Sequence, residues 1–370
     1  MSHKRKKILI VSLAAGSGHV QTAKALKKTA ELYFPELECR HIDIADYITP
    51  LLRGITVSGY GFLIAHLPKV WTSLFRLSDS KAFTKAYRAL TDYLKMLNSF
   101  EFLNEVYAFQ PDHIISTHFL PSEILTHALK KTGPIPITEV VTDYGIHPIL
   151  VVKGIDSYIV ATPEMKDELI AKFDIKPNTI HIFGIPIDPS FYEQKDIAHL
   201  KSEYHCPPDK PIVLVLSGGD GMIEISDVVT KLFNNFKTPL TIIAVAGHNK
   251  KLYKRLTALT APSHFTYMPF GWTNNIPNLM AIADVVVSKP GGLTTTECNV
   301  SKVPMIAINP IPGQEEYNIE YIEKNHLGSY AKRPTDIVPL LEHYILTKYK
   351  KRDYTSVQSA RKIFDFISSQ

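Results

Sequence analysis

The chain has 370 residues, of which 45% are hydrophobic and 21% charged, and its formal net charge is +5. This length suits two ordinary domains, and the composition is that of a globular protein, which excludes disordered, collagenous and fibrous classes. The three cysteines, Cys39, Cys206 and Cys298, are scattered and odd in number. They provide neither a disulfide framework nor metal-ligand spacing, so we expect a reducing compartment.

The beginning of the chain is strongly basic, because residues 1–30 carry seven basic residues and no acidic one. A basic surface suits nucleic acid, an anionic membrane or an anionic substrate. No nucleic-acid-binding module is recognisable, so we expect no nucleic-acid partner. The apolar run behind the basic residues is a short strand followed by glycines, and we predict no secretory signal peptide.

Strand-like and helix-like patterns alternate along the first half of the chain. Ile8–Leu13 predicts a strand, and Gln21–Phe34 predicts a helix with an apolar face. Further short β-rich segments follow at 39–44, 113–118, 136–143 and 157–162. Strands separated by helices indicate βαβ units and a parallel sheet, so we predict an α/β fold.

A linker is predicted at 180–191, where Gly184, Pro186 and Pro189 interrupt the pattern. The alternation then restarts, with apolar runs at 211–222, 240–248, 283–292 and 303–310. We therefore predict an N-terminal domain over 1–187 and a C-terminal domain over 188–354. A final helix at about 355–370 is expected to pack back on the first domain.

The first strand ends in a turn that contains Gly16 and Gly18 and is followed by His19. Such turns often bind anions, because the first N–H groups of a helix have no partner within the helix. The stretch is neither G-x-G-x-x-G nor a P-loop, since the Lys-Ser/Thr pair is missing. The turn alone therefore does not identify a ligand.

The stretch "SKPGGLTTTEC", Ser288 to Cys298, also follows a strand and leads into a helix. Gly291 and Gly292 allow a ligand to approach the backbone closely. Thr294, Thr295 and the helix N-terminus offer donors to a diphosphate. Glu297 accepts hydrogen bonds only, which suits a sugar diol such as a ribose. The alternative is purely structural, because Thr294 and Glu297 also have the spacing of a capping box.

Two other polar turns follow predicted strands. "NPIPGQEEYN" places Gln314, Glu315 and Glu316 behind a Pro-Gly turn, and an amide beside carboxylates suits the hydroxyls of a sugar. "LSGGDGM" supplies Gly218 and Gly219 at the start of the second domain. Ligands of open α/β sheets bind at the carboxyl ends of strands, so we expect these turns to contribute to one site.

The segment 47–78 departs from the alternating pattern. It has no acidic residue, three basic residues and five aromatic residues, and its longest uncharged run, 54–68, is 15 residues. A bilayer-spanning helix needs about 20 residues, so the segment is too short to cross a membrane. Apolar and aromatic side chains mixed with lysine and arginine favour a membrane-interface surface, and the alternative is a buried helical hairpin. The aromatic residues expected to contact acceptor or membrane are Tyr60, Phe62, Trp71 and Phe75.

Six motifs occur in this order along the chain: "GSGHVQTAKAL", "VTDYGIHP", "GIPIDPSF", "SGGDGM", "PFGWTNNIPNLMAIADVVVSKPGGLTTTE" and "NPIPGQEEYN". Their order resembles that of the diacylglycerol glycosyltransferases, and the similarity extends from about residue 7 to 330. This family contains the monogalactosyldiacylglycerol synthases and the bacterial processive diacylglycerol glucosyltransferases, and it is related to the N-acetylglucosaminyltransferase that makes lipid II.

The resemblance implies the GT-B architecture, in which two Rossmann-like domains face a cleft. It implies an inverting transfer of a hexose from UDP-glucose or UDP-galactose to diacylglycerol or a glycolipid acceptor. It also implies a peripheral protein at an anionic membrane surface, on the cytoplasmic side where the donor is found. A polyprenyl-linked acceptor and a catalytically silent nucleotide-sugar-binding or lipid-binding protein are the alternatives.

The resemblance further implies roles for individual residues. The acceptor side would contain Gly16, Gly18 and His19, and segment 47–78 matches the lipid-acceptor and membrane-docking region. The donor contacts would be the backbone near Phe270 and Gly271 for uracil, Glu297 for ribose, Thr294, Thr295 and the Gly218–Gly219 turn for the diphosphate, and Gln314 and Glu315 for the sugar hydroxyls.

His19 is the candidate base of such an inverting transfer. Imidazole has a near-neutral pKa, and the helix start would lower it and keep His19 able to accept a proton. His19 could instead only position the acceptor, and Asp143 is the rival base or a partner of His19. We expect no metal or other cofactor, since hydroxyls, backbone N–H groups and the helix dipole can stabilise the leaving diphosphate, and no Asp-x-Asp motif occurs.

Overall fold

The computed structural model of the protein describes residues 5–78, 80, 99–129, 133, 135–221, 223–347 and 358–370. The chain divides into two compact units. The first unit is Met1–Pro189 with Pro312–Gln314 and Val357–Gln370, and the second is Ser190–Ile311 with Glu315–Ser356.

The first unit contains a six-stranded parallel sheet in the order β2-β1-β3-β4-β5-β6. Its strands are β1 Lys6–Ser12, β2 Leu37–Asp43, β3 His113–Ser116, β4 Ile137–Val140, β5 Ser157–Val160 and β6 Ile180–Ile182. Its helices before the linker are α1 Ser17–Tyr33, α2 Pro50–Arg53, α3 Tyr60–His66, α4 Pro68–Ser78, α5 Phe100–Phe109, α6 Phe119–Ala128 and α7 Pro163–Phe173.

Strand β1 lies inside the first sheet, with β2 on one side and β3 on the other. Both faces of such a strand are covered by helices, which explains its continuous apolar run. Leu9 packs with Phe102 of α5, whereas Ile8 and Ile10 pack with Leu26 of α1. The carboxyl ends of β1 and β3 are therefore adjacent, and the loops that follow them meet at one edge of the sheet.

Helix α1 begins earlier than the sequence pattern predicts. The predicted start was Gln21, but the helix begins at Ser17 because Gly16, with φ of +89°, turns the chain directly into it. A positive φ of this kind favours glycine. Gly18 and His19 consequently lie in the first turn of α1 rather than in the preceding loop.

The second unit contains another six-stranded parallel sheet, in the order β12-β11-β10-β7-β8-β9. Its strands are β7 Ile212–Leu216, β8 Thr241–Val245, β9 Thr266–Phe270, β10 Val285–Ser288, β11 Met305–Ala307 and β12 Gly328–Tyr330. Its helices are α8 Ile197–Glu203, α9 Ser226–Asn235, α10 Lys250–Thr257, α11 Ile276–Ile282, α12 Gly292–Val300, α13 Glu316–Lys324 and α14 Ile337–Leu346.

The last helix, α15 Ser359–Ser368, packs on the first unit. Its residues Ile363 and Phe364 are buried in the same cluster as Leu26. The hydroxyl of Ser359 donates a hydrogen bond to the carbonyl of Gly184 at 2.7 Å. Residues 355–357 of the predicted final helix lie outside the described residues.

Glu139 is a buried carboxyl group in the middle of the first sheet, on β4. It is 2% exposed and accepts a hydrogen bond from the hydroxyl of Ser122 on α6. Burial raises the pKa of Glu139 to about 8, hydrogen bonds from Ser122 and Ser116 oppose this rise, and the charge of Glu123 adds to it. The carboxyl is therefore protonated in the folded protein at neutral pH.

This proton predicts a pH-dependent stability. Between the ordinary pKa of 4.5 and about 8, the folded protein retains a proton that the unfolded chain releases. The free energy of unfolding should therefore fall as pH rises through this window, by at most about 1.4 kcal/mol per pH unit. Glu139→Gln keeps a neutral group in place and should flatten the decline in urea unfolding between about pH 5 and pH 8. An equally steep decline in the variant would contradict this assignment.

Candidate active site

His19 lies at the carboxyl edge of the first sheet, held there by the first turn of α1. Its Nδ1 is 2.6 Å from the carbonyl oxygen of Thr117 and 3.1 Å from the hydroxyl of Thr142. A carbonyl oxygen can only accept, so Nδ1 carries the proton and the neutral ring keeps the lone pair of Nε2. The geometry therefore presents Nε2 as the atom that can take up a proton.

The surroundings of His19 also set its protonation state. Burial lowers the pKa of His19 below 6.5, while the charge of Asp143 and the carbonyl of Thr117 partly oppose this effect. Asp143 follows β4 and is half-buried. It lies close enough to His19 for its charge to raise the pKa of the imidazole. This arrangement keeps His19 neutral at neutral pH and places a negative charge where an imidazolium would form.

Three residues near His19 were not predicted from the sequence: Thr117, Thr142 and His118. The ring of His118 lies edge-on to that of His19, with 4.6 Å between centroids, and its Nδ1 accepts the N–H of Leu120 at 3.1 Å. Burial lowers the pKa of His118 well below its ordinary value. The sequence could have indicated these residues. Thr117 and His118 directly follow β3, and Thr142 comes two residues after the end of β4. The carboxyl ends of these strands lie at the same edge of the parallel sheet as that of β1.

In the second unit, the start of α12 decides between the two interpretations of "SKPGGLTTTEC". The N-cap is Gly291 and no side chain caps the helix, so both Thr294 and Glu297 lie within it. The capping-box alternative is therefore wrong. Thr295 is buried, while Thr294 and Glu297 are half-buried and accessible in part.

The Gly218–Gly219 turn after β7 packs tightly on the turn after β8. A Cβ atom on Gly247, where φ is +61°, would lie 2.5 Å from the carbonyl oxygens of Gly218 and Gly219. Gly218 itself has a φ of +81°. The turn after β8 therefore packs closely against this turn, which leaves no room for a side chain at Gly247.

The predicted role of Glu315 needs correction. Its Oε1 accepts a hydrogen bond from Nζ of Lys289 at 2.5 Å, and its Oε2 accepts the N–H of Ile311 at 2.8 Å. The side chain of Glu315 is 3% exposed. The structure leaves almost none of this carboxylate accessible to a sugar, because the side chain is covered and its oxygens accept from Lys289 and Ile311. Gln314 is half-buried and belongs to the first unit. Its contact with the sugar stays a prediction.

The expected uracil site lies at the end of β9. Phe270 is the last residue of that strand, and its ring lies 6.3 Å from that of Tyr204. Next to Gly271, the ring of Trp272 stacks on that of His248, with 3.9 Å between centroids and 10° between planes. Trp272 is 43% exposed. This aromatic pair was not predicted, although each member follows one of two adjacent strands.

Segment 47–78 forms α2, a π-helical turn at Gly54–Gly59, α3 and α4. Trp71 and Phe75, which are expected to contact acceptor or membrane, do not lie on the exposed face of α4. Both are half-buried, and the ring of Phe75 packs on that of His147 with centroids 4.3 Å apart. The side chain of Tyr60 lies outside the described part of the chain. Among the side chains of this segment that the structure describes, the large apolar ones that are exposed are Leu51, Phe62, Leu67, Val70, Leu74 and Leu77.

This exposure contradicts the alternative of a wholly buried helical hairpin. Val70, Leu74 and Leu77 lie at i, i+4 and i+7 of α4, so they share one helix face. Within the described residues, no helix is long and apolar enough to cross a membrane.

Two families of known proteins match the chain. The family described as monogalactosyldiacylglycerol (MGDG) synthase matches residues 19–187, and glycosyl transferases group 1 matches residues 206–358. The processive diacylglycerol beta-glucosyltransferase of Bacillus subtilis (strain 168) is 30% identical over 342 residues, covering 90% of this chain and 85% of the relative. That of Staphylococcus carnosus (strain TM300) is 27% identical over 346 residues, covering 92% and 85%.

Solved structures match the fold over almost the whole chain. MurG of Acinetobacter baumannii is 14% identical with a TM-score of 0.59, covering 99% of this chain and 100% of that one. The UDP-GlcNAc 2-epimerase of Neisseria meningitidis is 11% identical with a TM-score of 0.61, covering 98% and 100%. The predicted fold class is confirmed, with two Rossmann-like domains of the GT-B type. The chain belongs to the diacylglycerol glycosyltransferase family.

Proposed function

We propose that this protein transfers a hexose from a UDP-sugar to diacylglycerol, or to a glycosyl-diacylglycerol, at the cytoplasmic face of the membrane. The observation that carries the proposal is the similarity, over 90% of the chain, to relatives named processive diacylglycerol beta-glucosyltransferases. The geometry around His19 supports the same chemistry, because an inverting transfer needs one base on the acceptor side.

In the proposed reaction, Nε2 of His19 takes the proton of the acceptor hydroxyl. The hydroxyl oxygen attacks the anomeric carbon from the face opposite the diphosphate, the bond to the diphosphate oxygen breaks, and the configuration inverts. The products are the glycolipid, UDP and a protonated His19. The charge of Asp143 would stabilise that imidazolium, since an opposite charge nearby favours the charged form.

The donor is proposed to bind at the carboxyl edge of the second sheet. The Gly218–Gly219 turn and the start of α12, with Thr294 and Thr295, would receive the diphosphate, because N–H groups and hydroxyls there can donate to phosphate oxygens. Glu297 would hold the ribose hydroxyls, and no metal or other cofactor is part of the proposal.

The test is a donor-by-acceptor matrix on liposomes, read by the mass of the lipid product. UDP-glucose and UDP-galactose are each offered with diacylglycerol, with a monohexosyl-diacylglycerol and with a polyprenyl phosphate. We expect a mass increase of one hexose on a diacylglycerol acceptor. A product on the polyprenyl acceptor alone, or none with any pair, would contradict the proposal.

Removal of the Glu297 carboxylate should weaken UDP binding. Glu297→Ala is expected to cost about 1.5–3 kcal/mol of binding free energy, the value of a charge-assisted hydrogen bond. Calorimetric titration with UDP measures this loss. Glu320→Ala removes an exposed carboxylate elsewhere in the same unit and should bind UDP normally. Unchanged affinity in a folded Glu297→Ala protein would mean that Glu297 does not contact the ribose.

A further inference from the structure

Lys289 lies where two backbone elements of the proposed diphosphate site come together. It directly follows β10. A Cβ atom built on Gly218 would lie 3.7 Å from Cε of Lys289, and one built on Gly291 would lie 3.8 Å from its Nζ. The lysine side chain therefore reaches both the glycine turn after β7 and the N-terminus of α12.

Glu315 holds this ammonium group in place. Its carboxylate is fixed on one side by the N–H of Ile311 and on the other by Nζ of Lys289. The side chain of Glu315 is 3% exposed, whereas that of Lys289 is 21% exposed. A lysine ammonium has three donors, and within the described residues Lys289 donates a hydrogen bond only to Glu315. Lys289 is therefore the accessible member of the pair, and the buried carboxylate of Glu315 holds its ammonium group in place.

Two buried hydroxyl groups flank the same Pro-Gly-Gly turn. Ser288 ends β10 and Thr295 lies one residue after Thr294 in α12, and both are buried. Neither Oγ of Ser288 nor Oγ1 of Thr295 has a hydrogen-bond partner within the described part of the chain. A buried hydroxyl without a partner is costly, so two donors beside this turn remain unused by the described part of the chain.

We propose that Lys289 is the cation that contacts the diphosphate of the nucleotide donor. Glu315 is then a positioning residue that acts through Lys289 and does not contact the sugar. This inference rests on the proposed function, because it assigns a role within the donor site. A fixed ammonium stabilises the charge that develops on the diphosphate as the sugar leaves, without moving during the reaction.

The experiment compares UDP with uridine in calorimetric titrations of Lys289→Met. Uridine lacks the diphosphate, so a lysine that contacts only the diphosphate should not affect its binding. We expect the UDP affinity to fall about 10-fold to 100-fold, as for the loss of one charge-assisted hydrogen bond, while uridine binds as to the wild type. Lys324→Met removes an exposed lysine at the far end of α13 and should leave both affinities unchanged.

Glu315→Gln tests the positioning role by a double-mutant cycle. Alone, this variant should weaken UDP binding but not uridine binding. In the Lys289→Met background it should have little further effect on UDP, whereas a merely structural residue would lower both affinities in either background. Thermal melting confirms that each variant is folded.

The results separate this inference from the proposed function. A wild type that binds neither UDP nor uridine would contradict the proposed function itself. A wild type that binds UDP, together with a folded Lys289→Met variant that binds it equally tightly, would overturn only the role of Lys289. Equal losses of UDP and uridine affinity in that variant would overturn it as well.

Discussion

Replacing His19 with alanine is expected to lower the turnover number by about 10²–10⁴-fold, the contribution of a general base. UDP affinity should be nearly unchanged, because His19 belongs to the first unit and the proposed donor contacts belong to the second. Steady-state kinetics and UDP titration measure the two effects. His199→Ala, which removes an exposed histidine of α8, is the matched control and should have normal turnover.

The pH profile provides a second readout for His19. A base is active only when it is unprotonated, and burial lowers the pKa of His19 below 6.5. The acidic limb of kcat/KM should therefore lie below pH 6.5, so activity persists where an exposed histidine would already be protonated. A loss of turnover smaller than about tenfold in His19→Ala would remove the base assignment and leave Asp143 as the candidate.

Replacing Val70, Leu74 and Leu77 together with serine is expected to weaken binding to anionic liposomes about a hundredfold. These side chains are 46%, 40% and 55% exposed, so each still has about half its surface to bury. This corresponds to about 1 kcal/mol per residue, and the loss should be the same at every salt concentration, since apolar burial is not screened.

The basic residues of α4 should behave differently. Lys69 and Arg76 are exposed, and each is expected to contribute about 1 kcal/mol that disappears as salt is raised. Co-sedimentation with liposomes measures both contributions. Leu346→Ser, which alters an exposed leucine of α14, should bind as the wild type does. A wild type that does not bind anionic liposomes, or a triple variant that binds them normally, would contradict the membrane role of α4.

The two sheets were predictable because their inner strands are buried on both faces and therefore appear in the sequence as continuous apolar runs. The sequence pattern missed β6, which lies at one edge of the first sheet within the predicted linker, and it missed β9 and β12, which lie at the two edges of the second sheet. Strands β9 and β12 are only half-buried, and β9 contains Pro269, which edge strands tolerate. The glycine turns after β1, β7 and β10 were also predictable, since the carboxyl ends of parallel strands are where such sheets bind ligands.

The contacts that orient the candidate site were not predictable, because they join distant segments. His19 is held by Thr117 and Thr142, which are 98 and 123 residues away along the chain. The sequence shows that Lys289 and Glu315 are charged residues. Only the fold shows that the carboxylate of Glu315 is covered and that the ammonium group of Lys289 is accessible.

The exposed face of α4 was also not predictable from the sequence. Trp71 and Phe75 form one stripe at i and i+4, and Val70 and Leu74 form another. Phe75 packs on the ring of His147, a residue far along the chain, and this contact turns the second stripe outward. Helical periodicity alone does not tell these two faces apart.

The central claim, inverting transfer of a hexose from a UDP-sugar to diacylglycerol, is tested most directly by the anomeric configuration of the product. UDP-hexoses carry the sugar in α linkage, so inversion yields a β-linked glycolipid. Protein incubated with an isotope-labelled UDP-hexose and diacylglycerol liposomes provides the lipid product for mass spectrometry and NMR. A β-linked hexosyl-diacylglycerol, strongly reduced with His19→Ala, is the expected result. An α-linked product, or free hexose without glycolipid, would contradict it.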